Sequence, residues 1–382
     1  MRVLEAISDT NIGGAGRLLL TRLANSDKDR ITTAVVLPEG SRLIPEFEKL
    51  SVECYIIKGC ADKSFDRRAI SSLCSVMRDF SPDIVNAHGC MSARVAAYIS
   101  HVPIRIYTRH CAYEIPIYMQ TFPVRAANRM ICSLLSTHVI AVADAAAENL
   151  ECMGIPRKKI DVIINGVDPL RRYSPNERQK CREALGLDGK FVVGICARLE
   201  ECKDHACFLR AARVLARKDE RYRFLIIGDG SLRSRLEKLT DALGISDKVI
   251  FTGFTDEVER YFNCLDLNVN CSVGTETSSL ALSEGMSIGL PSVASSFGGN
   301  PYMVRDGENG YIYQMGDFIG LAHKIEEIAT DPELYSKMSQ KAEERYRIEL
   351  NSRKMTDETE ALYFSLWQNK FGESKGRESQ LG

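Results

Sequence analysis

Short apolar runs, many of them β-branched, alternate with longer stretches of helical periodicity along most of the chain. Each run has the length and composition of a buried strand, and helical patterns such as 204–217 and 232–243 lie between most of them. This alternation predicts parallel sheets with helices on both faces. The predicted strands are 3–7, 31–37, 52–58, 84–87, 104–108, 139–142 and 161–164 in the first half, and 191–197, 224–227, 249–252, 267–270, 292–294 and 311–313 in the second.

Thirteen strands are too many for one open sheet, and 382 residues are enough for two cores. The turn signal Asn165-Gly166, followed by Pro169, places the boundary near residues 165–173. The predicted fold class is therefore α/β, with two doubly wound, Rossmann-like parallel-sheet domains and a ligand site in the cleft between them. The predicted parts are a first domain 1–170, a second domain 171–354, a last helix 355–370 that returns to the first domain, and a frayed tail 371–382.

Composition excludes several classes of protein. Hydrophobic residues make up 45% of the chain and charged residues 26%, as in ordinary globular proteins. A net charge of −1 gives no general affinity for polyanions, so nucleic acid is not an expected partner. The 13 cysteines are scattered, and Cys202 and Cys207 lack a second pair at zinc-ligand spacing. Because no apolar run reaches about 18 residues and the start M-R-V-L-E-A-I reads as a strand, a cytoplasmic location is expected.

Two carboxylates stand out in the segment 271–291. Glu276 and Glu284 have seven residues between them, and Ser278-Ser279 suit a helix start. On a helix they would lie about 12 Å apart along the axis, too far for a glycosidase pair, which needs about 5–9.5 Å. Two anchors for a long ligand, with a phosphate-binding helix N-terminus between them, fit that spacing. The alternative is that glutamates are simply favoured near helix starts.

Basic residues follow the strand 191–197. Arg198 and Lys203 are suited to neutralise a diphosphate, since Arg offers a bidentate fork and Lys a compact charge. The alternative is a solvated basic loop beside Glu200 and Glu201.

Glycines mark further strand ends. The loop after the first strand contains Gly13, Gly14 and Gly16, which permit close backbone approach, but it is not a Walker loop. In the second domain, G-D-G at 228–230 and G-F-T at 253–255 end two strands at positions that face phosphate or nucleoside in other proteins. Each glycine motif alone could be only a tight turn.

In their order and spacing these motifs resemble the GT-B glycosyltransferases of family 4, which are retaining and use nucleotide sugars. The resemblance covers roughly residues 2–350. It rests on Gly13-Gly14, His110, N-G-V-D at 165–168, Arg198 and Lys203, G-D-G, G-F-T, Glu276-x7-Glu284, G-G-N-P at 298–301 and D-G-E-N-G at 306–310.

The resemblance implies a role for each matching residue. His88 also ends a strand, but the resemblance favours His110 as the histidine that meets the donor sugar. The resemblance implies that Arg198 and Lys203 bind the diphosphate, together with backbone N–H groups at Ser279 and Leu280. It implies that Glu284 binds the ribose, that Glu276 binds the sugar and that Gly14 lies in a loop that closes on donor or acceptor. It also implies that the donor site includes Gly228, Gly230, Phe254 and Thr255.

The chain also departs from the family pattern. Thr277-Ser278-Ser279 stand where a glycine and an aromatic-Gly pair are usual, and Tyr302 follows Pro301 where a glutamate is frequent. Ala143-Asp144 replace the usual serine of a helix-start motif. Because the first two departures lie on the sugar side, the identity of the donor sugar stays open.

The predicted activity is transfer of a sugar, with retention of the anomeric configuration, from a nucleotide sugar to a hydroxyl of a carbohydrate or lipid-linked acceptor in polysaccharide or glycoconjugate synthesis. Among nucleotide sugars, a UDP-sugar is the favoured donor. No cofactor and no metal are expected, because no D-x-D triplet for a metal–diphosphate pair occurs. The alternatives are a non-hydrolysing sugar-nucleotide epimerase and a non-catalytic GT-B subunit. The oligomeric state is left open.

One stretch suggests peripheral contact with the cytoplasmic membrane face. Residues 123–137 combine two arginines with four large apolar side chains, a composition that suits an anionic bilayer surface. The favoured interpretation, however, is a core helix with two surface arginines. The six residues are Arg125, Arg129, Met130, Ile131, Leu134 and Leu135.

Overall fold

The computed structural model describes residues 1–378, with side chains through residue 372. The chain divides into two compact units. The N-terminal unit consists of residues 1–166 together with the helix that begins at Ser352, and the C-terminal unit consists of residues 167–351.

The N-terminal unit is built on a seven-stranded, wholly parallel sheet with the strand order β3-β2-β1-β4-β5-β6-β7. Its strands are β1 (Arg2–Ile7), β2 (Thr32–Pro38), β3 (Glu53–Ile57), β4 (Ile84–His88), β5 (Ile104–Arg109), β6 (His138–Ala141) and β7 (Ile160–Val162). Its helices are α1 (Gly14–Ala24), α2 (Ile44–Lys49), α3 (Ala69–Phe80), α4 (Met91–Ile99), α5 (Phe122–Leu135) and α6 (Asp144–Cys152), with a 3-10 turn at Ile117–Gln120.

The C-terminal unit has a six-stranded parallel sheet in the order β10-β9-β8-β11-β12-β13. Its strands are β8 (Phe191–Cys196), β9 (Tyr222–Ile227), β10 (Val249–Gly253), β11 (Leu267–Asn270), β12 (Ser292–Ser295) and β13 (Gly310–Tyr313). Its helices are α7 (Pro175–Ala184), α8 (His205–Lys218), α9 (Arg233–Leu243), α10 (Val258–Phe262), α11 (Leu280–Ser287), α12 (Asn300–Met303), α13 (Phe318–Thr330) and α14 (Pro332–Arg345), followed by a π-helical turn at Tyr346–Leu350.

The predicted fold class is confirmed: all thirteen predicted strands are present, and their ends fall within two residues of the predicted ones. The physical reason is burial on both faces of each sheet, which requires continuous apolar runs instead of alternation. Central strands such as β1 and β4 are buried along nearly their whole length.

The last helix is longer than predicted. It forms α15 (Ser352–Glu378), so residues 371–378 are helical and not a frayed tail, while residues 379–382 lie outside the described residues. It packs on the N-terminal unit through buried Tyr363 and through Glu360, whose Oε1 accepts a hydrogen bond from Ser26 Oγ at 2.5 Å. Neither Gly372 nor Gly376 stops the helix, because each glycine inside a helix costs only about 1 kcal/mol.

The favoured prediction for the stretch 123–137, a core helix, is wrong. In α5 only Cys132 and Leu135 are buried, whereas Phe122 and Met130 project outward. The helix therefore presents much of its apolar surface to solvent. No helix in the described part of the chain is long and apolar enough to cross a bilayer.

Candidate active site

An ion pair joins two of the predicted site residues in the C-terminal unit. Lys203 Nζ lies 2.8 Å from Glu276 Oε2 and 3.2 Å from Ser272 Oγ. Lys203 ends a 3-10 turn after β8, and Glu276 lies between β11 and α11, so two strand ends of the sheet supply the pair. The side chain of Glu276 is 8% exposed and that of Lys203 is 19% exposed, so the pair is shielded but not sealed from solvent.

Three hydrogen bonds hold the Glu276 carboxylate, and all three end on Oε2. Lys203 Nζ and Ser272 Oγ each donate at 2.8 Å, and Asn270 Nδ2 donates at 3.1 Å. Burial by itself would raise the pKa of this carboxyl group, but the charge of Lys203 and the three hydrogen bonds outweigh it and lower the pKa. Glu276 is therefore a fixed, ionised carboxylate at neutral pH.

Two glycines pack closely against the backbone around Glu276. A Cβ on Gly298 would lie 2.3 Å from the carbonyl oxygen of Glu276, and one on Gly299 would lie 1.5 Å from that of Thr277. Only glycine permits such close packing against the segment 276–279, which lies before the helix. Glu276 therefore lies before α11, which begins at Leu280, so the helical rise assumed in predicting the spacing of the two glutamates does not apply to the positions 276–279.

The N-terminus of α11 belongs to the same hydrogen-bonded network. Ser279 is the N-cap, as its Oγ accepts from Leu282 N at 3.4 Å, and Asn270 Nδ2 donates to that oxygen at 3.1 Å. Asn270 thus ties the first turn of α11 to Glu276. Glu284 is 4% exposed in the second turn of the same helix.

Arg198 stands apart from this cluster. It is exposed just after β8, and within the described residues no hydrogen bond joins it to Lys203 or Glu276. Thr255 caps a local turn by accepting from Glu257 N at 3.0 Å, and the neighbouring Phe254 ring is 78% exposed.

The G-D-G turn packs on the loop that carries Arg198. A Cβ on Gly228 would lie 2.2 Å from the carbonyl oxygen of Ala197, and one on Gly230 would lie 2.6 Å from that of Leu199. These glycines are therefore required by close packing of two loops, whether or not a ligand also approaches them.

Tyr302, one of the departures from the family pattern, has an internal role. Its hydroxyl donates to Glu349 Oε2 at 2.7 Å, and the Arg345 guanidinium lies 4.6 Å from the centre of its ring. The residue ties α12 to the π-helical turn that ends the unit.

A second polar cluster lies in the N-terminal unit. Three side chains contact the ring nitrogens of His88: its Nε2 lies 2.8 Å from Glu5 Oε2 and 3.3 Å from Asn86 Nδ2, and its Nδ1 lies 2.8 Å from His110 Nε2. A carboxylate only accepts, and a neutral imidazole has one donor and one acceptor nitrogen. The Glu5 carboxylate therefore accepts from His88 Nε2. Burial and the neighbouring His88 lower the pKa of His110 to about 3, so His110 is neutral at pH 7.

Glu5 is the fully buried centre of this cluster. Its Oε1 pairs with the Arg22 guanidinium and accepts from the Tyr363 hydroxyl at 3.0 Å. Burial opposes its ionisation, yet the charge of Arg22 and the bonds from His88 and Tyr363 prevail and lower its pKa to about 2. The cluster thus links β1, α1, β4 and α15.

A small cavity adjoins the two histidines. Its water-accessible volume is about 40 Å³, which is room for a few water molecules. Its polar walls are Arg22, Asn86, His88, Thr108, His110, Asn165 and Thr359.

Sequence reasoning chose between His88 and His110, whereas the structure bonds them to each other. It also missed Glu5, Arg22 and Tyr363. The available signal was Glu5 itself, a charged residue inside the apolar strand M-R-V-L-E-A-I. A charge at such a position requires a buried partner.

Replacing Glu5 with glutamine should destabilise the N-terminal unit by about 3–5 kcal/mol at pH 7, because Arg22 would keep a buried charge without its partner. Because the pKa of Glu5 is lower in the folded protein, its ionised form stabilises the fold fully when the pH is above about 4.5, the pKa in the unfolded chain. This stabilisation decreases as the pH falls towards about 2, the pKa in the folded protein. The difference between wild type and variant in urea unfolding should therefore shrink by about half at pH 3. The exposed-pair variant Glu46→Gln is the control, and an equal Glu5→Gln effect at both pH values would contradict the assignment.

Comparison with known proteins identifies the family. The profile described as Glycosyltransferase Family 4 matches residues 12–171, and that described as Glycosyl transferases group 1 matches residues 177–345. EpsD of Bacillus subtilis is 30% identical over 195 residues, about half of each chain (51%). The UDP-Gal:alpha-D-GlcNAc-diphosphoundecaprenol alpha-1,3-galactosyltransferase of Escherichia coli is 24% identical over 324 residues, which cover 80% of this chain and 81% of that protein.

A solved structure has the same fold as this chain. The crystal structure of Anabaena HepE in complex with UDP and glucose superposes with a TM-score of 0.81 at 21% identity, over 96% of this chain and 100% of that chain. The two family profiles cover most of both units, and the parallel sheets match in a solved relative. The chain belongs to the GT-B glycosyltransferases.

Proposed function

We propose that the protein transfers a sugar from a nucleoside diphosphate sugar to a hydroxyl acceptor. The proposed donor is a UDP-sugar. The transfer retains the anomeric configuration and needs no metal ion. The observation that carries this proposal is the network in which Lys203, Glu276 and the N-cap of α11 are held together through Asn270 and Ser272. One cation, one carboxylate and one helix N-terminus in a single network match the ends of such a donor.

The diphosphate would lie against Lys203 and the start of α11. An ammonium group has three N–H donors, and Lys203 uses two within the described part of the chain, on Glu276 and Ser272. The third can reach a phosphate oxygen. Arg198 is exposed and offers a fork for a second one. These charges would stabilise the leaving diphosphate in place of a metal.

The sugar would lie against Glu276. Because the three hydrogen bonds occupy Oε2, the other oxygen, Oε1, is the acceptor proposed for a sugar hydroxyl. Phe254 offers an exposed ring on which a nucleobase or ribose can pack. The ribose role of Glu284 and the sugar-facing role of His110 stay predictions from the family resemblance. A neutral His110 would give a hydrogen bond and no charge.

The proposed step is a front-side displacement. The bond between the anomeric carbon and the diphosphate oxygen breaks, while the acceptor oxygen forms its bond from the same face. The departing phosphate oxygen takes the acceptor proton, so no protein base is needed. The transition state is oxocarbenium-like, and negative charge grows on the diphosphate beside Lys203.

The relatives support the choice of donor and acceptor. HepE binds UDP and glucose in its crystal structure, and the Escherichia coli relative is named for UDP-Gal as donor and a diphosphoundecaprenol-linked sugar as acceptor. We infer a UDP-sugar donor and a carbohydrate or lipid-linked acceptor in glycoconjugate synthesis.

The proposal is tested by incubating the protein with UDP-, GDP- and ADP-sugars, with EDTA and without acceptor, and measuring nucleoside diphosphate release. Slow hydrolysis of a UDP-sugar, unchanged by EDTA, is the expected result. Formation of an epimeric sugar nucleotide would instead identify an epimerase, and no turnover of any donor, even with mixed glycan acceptors, would indicate a non-catalytic subunit.

Gly14→Ala separates function from folding at the first loop. A Cβ at Gly14 meets no atom within 4 Å, so the melting temperature should stay within about 2 °C of wild type. If the loop closes on a ligand, transfer should still fall, by about 10-fold or more, because the added methyl group blocks close backbone approach. Normal transfer by Gly14→Ala would remove this residue from the site. Gly16→Ala is the contrasting variant, since its Cβ would lie 2.8 Å from Leu43 and should lower stability.

A further inference from the structure

An apolar surface is exposed on the N-terminal unit. It is formed by the 3-10 turn after β5 and by the outward side of α5, and we call it the α5 face. Its large apolar members are Ile117, Tyr118, Phe122, Met130, Ile131 and Leu134.

The exposure of the α5 face is unusual within this protein. Phe122, 85% exposed, and Ile117, 84% exposed, are the two most exposed large apolar side chains in the described residues. Six of the 15 exposed large apolar residues found there lie between positions 117 and 134. Clustered exposure of this kind marks an interaction surface, because single exposed apolar residues are normal but contiguous patches are not.

Helical geometry places Phe122, Met130 and Leu134 on one side of α5. Positions 122, 126, 130 and 134 recur every four residues and therefore share one side of α5. The opposite side carries the two buried residues, Cys132 and Leu135. In a typical surface helix the large apolar side chains face the core, whereas in α5 Phe122 and Met130 face solvent.

Within the segment 115–135 the charge has one sign. Arg125 and Arg129 are both exposed, stand one turn apart and flank the outward side. The segment 115–135 contains no aspartate or glutamate. Large apolar side chains bordered by guanidinium groups are what an anionic lipid surface binds.

We propose that the α5 face docks the protein peripherally on an anionic bilayer, with Phe122 and Ile117 inserted at the boundary of headgroups and acyl chains. Burial of large apolar side chains and attraction of the arginines to anionic headgroups would both favour this docking. This docking depends on neither the donor nor the chemistry of transfer. It would bring the enzyme to acceptors that are held in a membrane.

A second copy of the chain is the competing occupant. In a symmetric dimer the same patch faces itself. Arg125 and Arg129 would then meet their own copies, and the segment 115–135 supplies no carboxylate to pair with them. A like-charge contact of this kind disfavours the dimer, whereas an anionic bilayer turns the same arginines into favourable contacts.

Co-sedimentation with sucrose-loaded vesicles tests the proposal on the full chain. Vesicles of phosphatidylcholine with a quarter phosphatidylglycerol should bind the wild type at least 10-fold more tightly than pure phosphatidylcholine. Ile117→Ser with Phe122→Ser should lose at least 10-fold in partitioning, and Arg125→Gln with Arg129→Gln should lose the preference for phosphatidylglycerol. All four positions are exposed, so folding and donor hydrolysis should be unchanged.

The matched control is Phe65→Ser, which removes a 56% exposed ring of the same unit outside the α5 face and should bind as wild type. Equal binding to both vesicle types, or binding by the Ile117/Phe122 double variant equal to wild type, would overturn the proposal. Sedimentation velocity without lipid should show a monomer. A dimer that dissociates in the Phe122→Ser variant would instead assign the α5 face to a second copy.

Discussion

Replacing Lys203 with alanine should reduce sugar transfer by about 100- to 1,000-fold and leave both sheets folded. The ammonium group is the one cation bonded to Glu276 in the described residues, and it is the group proposed to meet the charge that grows on the diphosphate. Removing one preorganised donor to such a charge typically costs about 3–4 kcal/mol in the transition state. The loss should appear in kcat as well as in kcat/KM, because the interaction strengthens as the diphosphate departs.

Donor hydrolysis and transfer, each measured with circular dichroism and melting temperature, check this expectation. The matched control is Lys218→Ala, which removes a lysine of the same unit whose ion pair with Glu326 lies on the surface. It should turn over donor as wild type does. A folded Lys203→Ala protein with near-normal turnover would rule out the proposed role.

Glu276→Gln should reduce kcat/KM by about 100-fold, because charge-assisted hydrogen bonds contribute about 1.5–3 kcal/mol each. The amide has a single oxygen. If that oxygen serves the three donors now bonded to Oε2, the NH2 group takes the position proposed for the sugar contact. Lys203 also loses its counter-ion in a site that is largely shielded from solvent.

The double variant shows whether Lys203 and Glu276 act as a unit. Their single effects should not add, since residues within one ion pair are coupled. We expect Lys203→Ala with Glu276→Gln to be about as impaired as Lys203→Ala alone. Fully additive losses would mean that the two residues act independently, contrary to the network in the structure. The control is the same double-mutant cycle on the surface ion pair of Lys218 and Glu326, in which neither single variant nor the double variant should change kcat/KM.

The regular parts of the fold were predictable because their signals are local. Strands buried on both faces require apolar runs, and β-branched runs separated by helical periods are visible without knowledge of contacts. The length of α15 was not predictable in this way, since the polar stretch after Gln368 is compatible with either helix or tail. For α5 the apolar pattern was read correctly but its direction was not. Periodicity shows that a helix has an apolar side, not what covers it.

The candidate site was only partly predictable. Lys203, Glu276 and Ser279 were identified from strand ends and a helix start, and the structure joins them. Their link through Asn270 and Ser272 depends on how the segment after β11 folds. Part of that segment packs against Gly298 and Gly299, more than 20 residues away from Glu276, and contacts at such separation leave no local pattern.

The buried cluster around Glu5 shows the same limit. Its members come from β1, α1, β4 and α15, and the pairing of Glu5 with Tyr363 spans 358 residues. A charged residue within an apolar strand indicates that a partner exists. It does not say where in the chain that partner lies.

Titration calorimetry with UDP, UMP and uridine in the presence of EDTA tests the central claim most directly, because it measures diphosphate recognition without requiring the sugar or the acceptor. The account predicts that UDP binds at least 10-fold more tightly than UMP, that uridine binds weakest, and that Lys203→Ala removes most of the difference between UDP and UMP while Lys218→Ala keeps it. Equal affinities of the wild type for UDP and UMP, or UDP binding that appears only when a divalent metal is added, would contradict it.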